Sequence, residues 1–297
     1  MTMQRVSVII PFHEELTLLE KCLAALEVQT YPREHVEILA IDNGTKSDLA
    51  PLKSRFPRVH WLEEKRVGSY AARNRGLQEA RGDVIAFTDS DCLPAPTWIE
   101  AGVRALDALG ATIVGGRVDY LDPGRPLNAC EIFEEMVFLL GNQRLLVERR
   151  NIAATANIFA RRDAIVRVGP FDAELMTFGD GAWTMNAVAK GEILRYADGA
   201  VVQHPRRSTY RGVSRKARRV AGGKLVLMKK ERTPWRVFAW DLWRYSVLDP
   251  RTHLMPFLRR GIGMGRRLEL LWLAERVSLA CTWEKIQVHL GRRAYRG

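Results

Sequence analysis

Cysteine is scarce. The 297-residue chain holds four, Cys22, Cys92, Cys130 and Cys281, with no C-x-x-C pair among them. That argues against a disulfide framework or a zinc site and suits a reducing cytosol. No run of eighteen apolar residues occurs, so no membrane-spanning helix is expected. Met1–Arg5 leads directly into a strand-like run with no signal-peptide hydrophobic region, so the expected location is cytoplasmic. The first strand is not followed by G-x-G-x-x-G, which argues against a dinucleotide-binding dehydrogenase. G-x-x-x-x-G-K-[ST] is missing too, which excludes a P-loop. Any phosphate must then be met by other means, such as cations bridging acidic side chains to its oxygens.

Acidic charge is lacking from one end. The net charge is +12, but residues 1–205 carry 23 Lys+Arg against 28 Asp+Glu, a net of −5. Residues 206–297 carry 23 against 6, a net of +17, with five of the eight tryptophans (Trp235, Trp240, Trp243, Trp272, Trp283). Leu254, Phe257, Leu258 and Ile262, then Leu268, Leu271 and Trp272, recur at amphipathic spacing. Such a tail points to peripheral contact with an anionic membrane surface, ahead of nucleic acid. The same spacing also serves a packing helix or a dimer contact, with the basic residues as a solvated face.

Over the first 90 residues strands and helices alternate. Val6–Ile10, Val36–Ile41, Val59–Leu62 and Val84–Phe87 read as strands; the run from Leu16 to Leu26, Leu49–Arg55 and Ser69–Ala80 read as helices. Glu14 and Glu15 are expected in the first turn of the first helix, and Gly68-Ser69 as loop and N-cap of the third. This alternation argues an α/β, doubly wound, mostly parallel sheet. Beyond it the spacing predicts a helix over Trp98–Leu109 and a strand over Ala111–Val118 interrupted by Gly115-Gly116. One amphipathic helix is predicted over Ile132–Val147 and another over Gly181–Lys190, with Trp183, Met185 and Val188 inward. A short strand at Asn157–Ala160, a last one at Ala200–Val202 and a helical tail complete the expectation.

The candidate site centres on Phe87-Thr88-Asp89-Ser90-Asp91, two acids at the end of an apolar strand. Unpaired carboxylates are too costly to bury, so they belong at a mouth, where two acids attract a cation. An exposed acidic turn is the alternative. Asp42 ends the second strand on the same rim, where it would accept from a nucleobase or ribose, or form only an Asx-turn. Arg73 would bind phosphate bidentately, or sit exposed on its helix.

Several segments in order carry a resemblance. They are Val6–Phe12, Ile41–Gly44, Ala72–Gly76, Phe87–Asp91 with Pro94, Ala156-Asn157 before Arg161-Arg162, Gly169–Asp172, Gly179-Asp180 with Trp183, and Val202–Pro205 around His204. Together, over about residues 5 to 225, the chain resembles a family 2 inverting glycosyltransferase of the GT-A fold, in a non-processive subgroup. The resemblance implies a GT-A domain over 1–225 with a basic, Trp-rich helical extension over 226–297. It implies nucleotide-sugar binding by Pro11, Phe12, Asp42, Arg73, Asp89 and Ser90, and a Mg²⁺ or Mn²⁺ ion on Asp91 with His204. Asp180 matches the catalytic base, although the acid that often precedes it is Gly179 here; a helix N-cap is its alternative role. The implied reaction moves one sugar from a UDP- or GDP-linked donor to a saccharide or lipid-linked acceptor, in cell-surface polysaccharide or glycolipid synthesis. The Q-x-x-R-W signature of processive synthases is absent; the basic run Ser214–Val220 lies roughly where it would fall. A sugar nucleotidyltransferase, or a membrane-associated nucleotide-sugar-binding module without catalysis, remains as an alternative. Release of pyrophosphate would mark the first, and binding without turnover the second.

Overall fold

The structure is a computed structural model that describes residues 3–230, 236, 239, 261–292 and 294. Trp235, Trp240, Trp243, Leu254, Phe257 and Leu258 lie outside the described residues. Among the described residues, no helix is long and apolar enough to cross a membrane.

The chain forms two compact units. The first comprises residues 1–121, 140–174 and 179–205. Its elements open with β1 (Val6–Phe12), α1 (Leu16–Glu27), β2 (Val36–Asp42), α2 (Ala50–Arg55), β3 (His60–Glu63), α3 (Ser69–Glu79) and β4 (Val84–Phe87). β5 (Leu93–Pro94), α4 (Trp98–Ala108) and β6 (Ile113–Tyr120) follow. In the second unit, comprising 122–139, 175–178 and 206–297, the first helix is α5 (Ala129–Val137). The chain then returns to the first unit for α6 (Gln143–Arg150), β7 (Ile158–Arg161), α7 (Arg162–Val168), α8 (Gly179–Ala189) and β8 (Leu194–His204). α9 (Tyr210–Lys230) and α10 (Met264–His289) complete the second unit.

The eight strands form one sheet in the order β3-β2-β1-β4-β7-β6-β8-β5. β1, β2, β3 and β4 are mutually parallel where they pair, β6 and β8 are parallel, and β7 runs antiparallel between β4 and β6. The central strands of the parallel half, β1 and β4, are short apolar runs because both faces are covered; every residue of both is buried. Side chains from Val8, Ile10, Leu23, Trp98, Leu106 and Phe159 meet in its core. α3 lies hard against this sheet. A Cβ at Gly76 would stand 2.7 Å from Ile9 Cγ2, so only glycine lets the helix approach so closely.

Several local expectations change. Glu14 and Glu15 are not in the first turn of α1; both adopt left-handed backbone, at φ 54° and 50°. The reason is a bond network: the Glu14 carboxylate accepts from the Lys46 N–H and the Ser47 hydroxyl, both at 2.8 Å, and turns the chain back. Gly68, not Ser69, holds the N-cap position of α3, without a side-chain cap. Gly115-Gly116 does not interrupt β6. Instead the register with β8 slips there, from Gly116 opposite Ala197 to Arg117 opposite Val201. The Asn157 amide fills the slip, donating to Arg117 O and Ala200 O at 2.8 Å and accepting from Trp98 Nε1 at 2.9 Å. The helix expected over Ile132–Val147 is two helices, α5 and α6, joined by a short 3-10 turn over Leu139–Asn142. A Cβ at Gly141 would sit 2.8 Å from the Tyr120 ring, which leaves no room for a side chain at the break. β8 is far longer than Ala200–Val202, and Met185 points outward on α8, at 47% exposed.

In the second unit α9 and α10 pack on α5 around Ile132, Phe133, Val213, Leu270, Leu273 and Val277. The boundary expected after residue 225 therefore falls inside α9, which packs along its length with this unit.

Candidate active site

Three parallel strand ends define the rim. Phe12 at the end of β1 pairs in register with Asp42 at the end of β2, and Asp89 lies two residues beyond β4. β5 pairs with β8 so that Leu93 faces Gln203, which brings His204 beside Asp91. Asp42, Asp89, Ser90, Asp91 and Asp180 are all half-buried, whereas Pro11, Phe12, Arg73 and His204 are buried.

Asp42 makes the Asx-turn: its Oδ1 accepts from the Gly44 and Thr45 N–H groups at 3.1 and 2.8 Å. Phe12, in register beside it, meets the Trp61 ring edge-on at 5.9 Å. Arg73 is not an exposed helical residue. It is 3% exposed, and its guanidinium donates to the Asp89 carboxylate. Its Nε has no partner among the described residues, and its charge lies 5.6 Å from the centre of the Tyr70 ring, on the same face of α3.

The carboxylates of Asp89 and Asp91 and the Cys92 thiol each bring one atom within 4.8 Å of the others. Burial first, then the neighbouring Asp91 and Asp89 charges, push the Cys92 thiol well above its ordinary value. His204 faces the same place. Its Nδ1 lies 2.6 Å from the Pro205 carbonyl oxygen, which can only accept, so Nδ1 carries the proton. In the neutral ring Nε2 then bears a lone pair, and it points at Asp91 Oδ2 from 3.5 Å. Two acceptors facing one another across that gap suit a shared cation, and oxygen donors with an imidazole suit Mg²⁺ or Mn²⁺. The donor chemistry of these residues fits such an ion.

Asp180 is not the N-cap of its helix. α8 starts at Gly179, so Asp180 is its second residue. The carboxylate is held by three donors: the Tyr70 hydroxyl at 3.2 Å, the Thr155 N–H at 3.2 Å and the Gly181 N–H at 2.9 Å. The Tyr70 hydroxyl in turn accepts from the Gly179 N–H at 2.9 Å. Gly179 is required there, since a Cβ would stand 2.6 Å from the Tyr70 ring. That contact explains why a glycine stands in front of the acid.

Helix α3 therefore ties the two halves of the site together, through Arg73 to Asp89 and through Tyr70 to Asp180. Asn74 fixes the link by exchanging two hydrogen bonds with the backbone of Phe171, donating at 2.8 Å and accepting at 2.9 Å. Phe171 stacks on Tyr70, meets Phe87 edge-on and tilts against Trp183. Sequence reading singled out neither Tyr70 nor Asn74 by itself. Their signal was the i, i+3, i+4 spacing of Tyr70, Arg73 and Asn74 on one helix.

The family profile described as Glycosyl transferase family 2 matches residues 7–169, more than half of the chain. The chain belongs to glycosyl transferase family 2. Glycosyltransferase AglE of Haloferax volcanii is 34% identical over 248 residues, covering 82% of this chain and 80% of that one. This family 2 glycosyltransferase also shares its fold with solved structures. One is the mannosyltransferase PcManGT from Pyrobaculum calidifontis in complex with GDP-Man and Mn²⁺, at TM-score 0.56 and 18% identity, covering 97% of this chain and 76% of that chain. Another is S. aureus TarS 1–349 in complex with UDP-GlcNAc, at TM-score 0.56 and 15% identity, covering 97% and 92%. The expected family, the GT-A fold and the assignment as a glycosyltransferase enzyme hold.

Proposed function

We propose that this glycosyltransferase moves one sugar from a nucleoside-diphosphate sugar to an acceptor hydroxyl, with inversion, using a divalent cation. The observation that carries the reading is the pairing of an Asp89–Asp91–His204 cluster with a separately held carboxylate, Asp180, through one helix. Structural neighbours that hold GDP-Man with Mn²⁺, and UDP-GlcNAc, support the donor class and a divalent ion.

In this reading Pro11, Phe12 and Asp42 line the nucleobase end of the donor. Asp89 and Ser90 face the ribose, and Arg73 orients Asp89 from beneath. Asp91 and His204 Nε2 would hold Mg²⁺ or Mn²⁺, which would offset charge on the departing diphosphate. Asp180 takes the proton from the acceptor hydroxyl as that oxygen attacks the anomeric carbon. The C–O bond to the diphosphate breaks on the opposite face, so the anomeric centre inverts. Tyr70 and the Thr155 and Gly181 N–H groups fix the direction of the Asp180 lone pairs. A positioned base contributes about 10²–10⁴-fold. The acceptor is a saccharide or lipid-linked saccharide, met at the cytoplasmic face of the membrane.

Thermal stabilisation by a panel of nucleotide sugars, including GDP-mannose and UDP-N-acetylglucosamine, with and without Mn²⁺, tests the donor. A bound donor raises the midpoint by mass action and the rise depends on the cation. No shift with any nucleotide sugar contradicts the reading.

A further inference from the structure

α10 is apolar on two opposite sides. One side is the core of its unit, with Leu270, Leu273, Ala274, Val277 and Val288 buried. The other carries Leu268, Trp272, Leu279, Trp283, Ile286 and, at the C-cap, Leu290, each between 44% and 73% exposed. At about 100° per residue these six fall within an arc of about 60°, on the side away from the core. With a rise of 1.5 Å per residue, the stripe from Leu268 to Leu290 is roughly 33 Å long. Single exposed apolar residues need no explanation, but an aligned row of this length marks an interaction surface.

Charge selects the occupant. Residues 206–297 carry +17 and residues 122–139 add −3, so the second unit as a whole carries +14. Two copies meeting along this stripe would bring two such charges together and press Glu275, which interrupts the row, into the seam. An anionic surface has the complementary sign and leaves the polar interruption in a wet headgroup layer. The two tryptophans suit that layer, with apolar bodies and a polar N–H. Arg276 borders the stripe, its guanidinium 4.7 Å from the Trp272 ring and 4.8 Å from that of Tyr210.

We propose that the exposed stripe of α10 is a docking surface for an anionic phospholipid bilayer, lying in its interface rather than crossing it. This deepens the proposal of a membrane-presented acceptor. Vesicle binding is read without any transfer assay, so its failure would leave the transfer chemistry standing.

The test is sedimentation of the full chain with vesicles of phosphatidylglycerol and phosphatidylcholine, against phosphatidylcholine alone, at low and high salt. The wild type pellets with the anionic vesicles and is partly released by salt. Trp272→Ser with Trp283→Ser reduces the bound fraction by ~10-fold or more with an unchanged far-ultraviolet circular dichroism spectrum. Leu268→Ser with Leu279→Ser does the same from other positions on the stripe. Equal pelleting of wild type and both variants overturns the proposal, as does no pelleting of the wild type. A vesicle-free dimer that these variants dissociate assigns the stripe to a second copy and overturns it too.

Discussion

Tyr70 on α3 and Asp180 on α8, 110 residues apart, meet through a hydrogen bond of 3.2 Å. The same hydroxyl receives the Gly179 N–H, so one phenol fixes both the start of α8 and the acid on it. Tyr70→Phe keeps the ring on Phe171 but removes both bonds. The expected result is a fall in kcat of ~10-fold, near the worth of one hydrogen bond, with donor KM little changed. Steady-state kinetics of the variant against wild type checks it.

Asp91→Asn weakens the proposed cation site directly. Donor binding then requires much higher Mn²⁺, and His204→Ala shifts the same titration by ~10-fold or more. Mn²⁺-dependence of donor binding, measured by calorimetry, reads both. Chelation of the ion from wild type reproduces the Asp91→Asn phenotype.

Asn74→Ala removes both hydrogen bonds to the Phe171 backbone and leaves a buried N–H and C=O without these partners. It costs about 1–3 kcal/mol of stability, seen as a lower midpoint in urea with an unchanged slope.

Stability of the second unit responds to pH through Glu134 and Lys216. Burial, then the Arg207 charge, lowers Lys216 from its ordinary 10.5 to about 8, although Glu134 accepts from it at 3.1 Å. Below about pH 8 folded and unfolded chains both hold this proton; between 8 and 10.5 the unfolded chain holds more, so this group makes stability rise with pH. Lys216→Met abolishes that rise. Burial pushes the Glu134 carboxyl up, but Lys216 and Arg207 outweigh it and hold it below 4.5. Its contribution is lost as pH falls through that lowered value. Urea midpoints across pH for wild type and Lys216→Met measure both windows.

The parallel half of the fold was legible because buried strands are apolar runs and α1, α3 and α4 are bounded by turn chemistry. The placement of Asp42, Asp89 and Asp91 on one rim was legible because the apolar runs before them end there. The burial of Arg73 and the Asx-turn of Asp42 stood there as open alternatives, since a helix position alone does not say which face meets a neighbour. The break between α5 and α6 was hidden because Phe138 turns extended there and Gly141 packs on the Tyr120 ring, 21 residues away in sequence, which no local spacing records. The fixing of Asp180 was hidden for the same reason: Tyr70 and Thr155 reach it only in three dimensions. Glu14 and Glu15 were misplaced because helix-start statistics favour acids there, whereas the loop at Lys46 and Ser47 claims the Glu14 side chain.

Asp180 is proposed as the base, and the Asp89–Asp91 cluster as the holder of the donor. The direct measurement is Asp180→Asn, with donor binding and transfer read on the same preparation. The expected result is an unchanged dissociation constant for the donor that stabilises wild type, with transfer reduced about 10²–10⁴-fold. Transfer at the wild-type rate would contradict it.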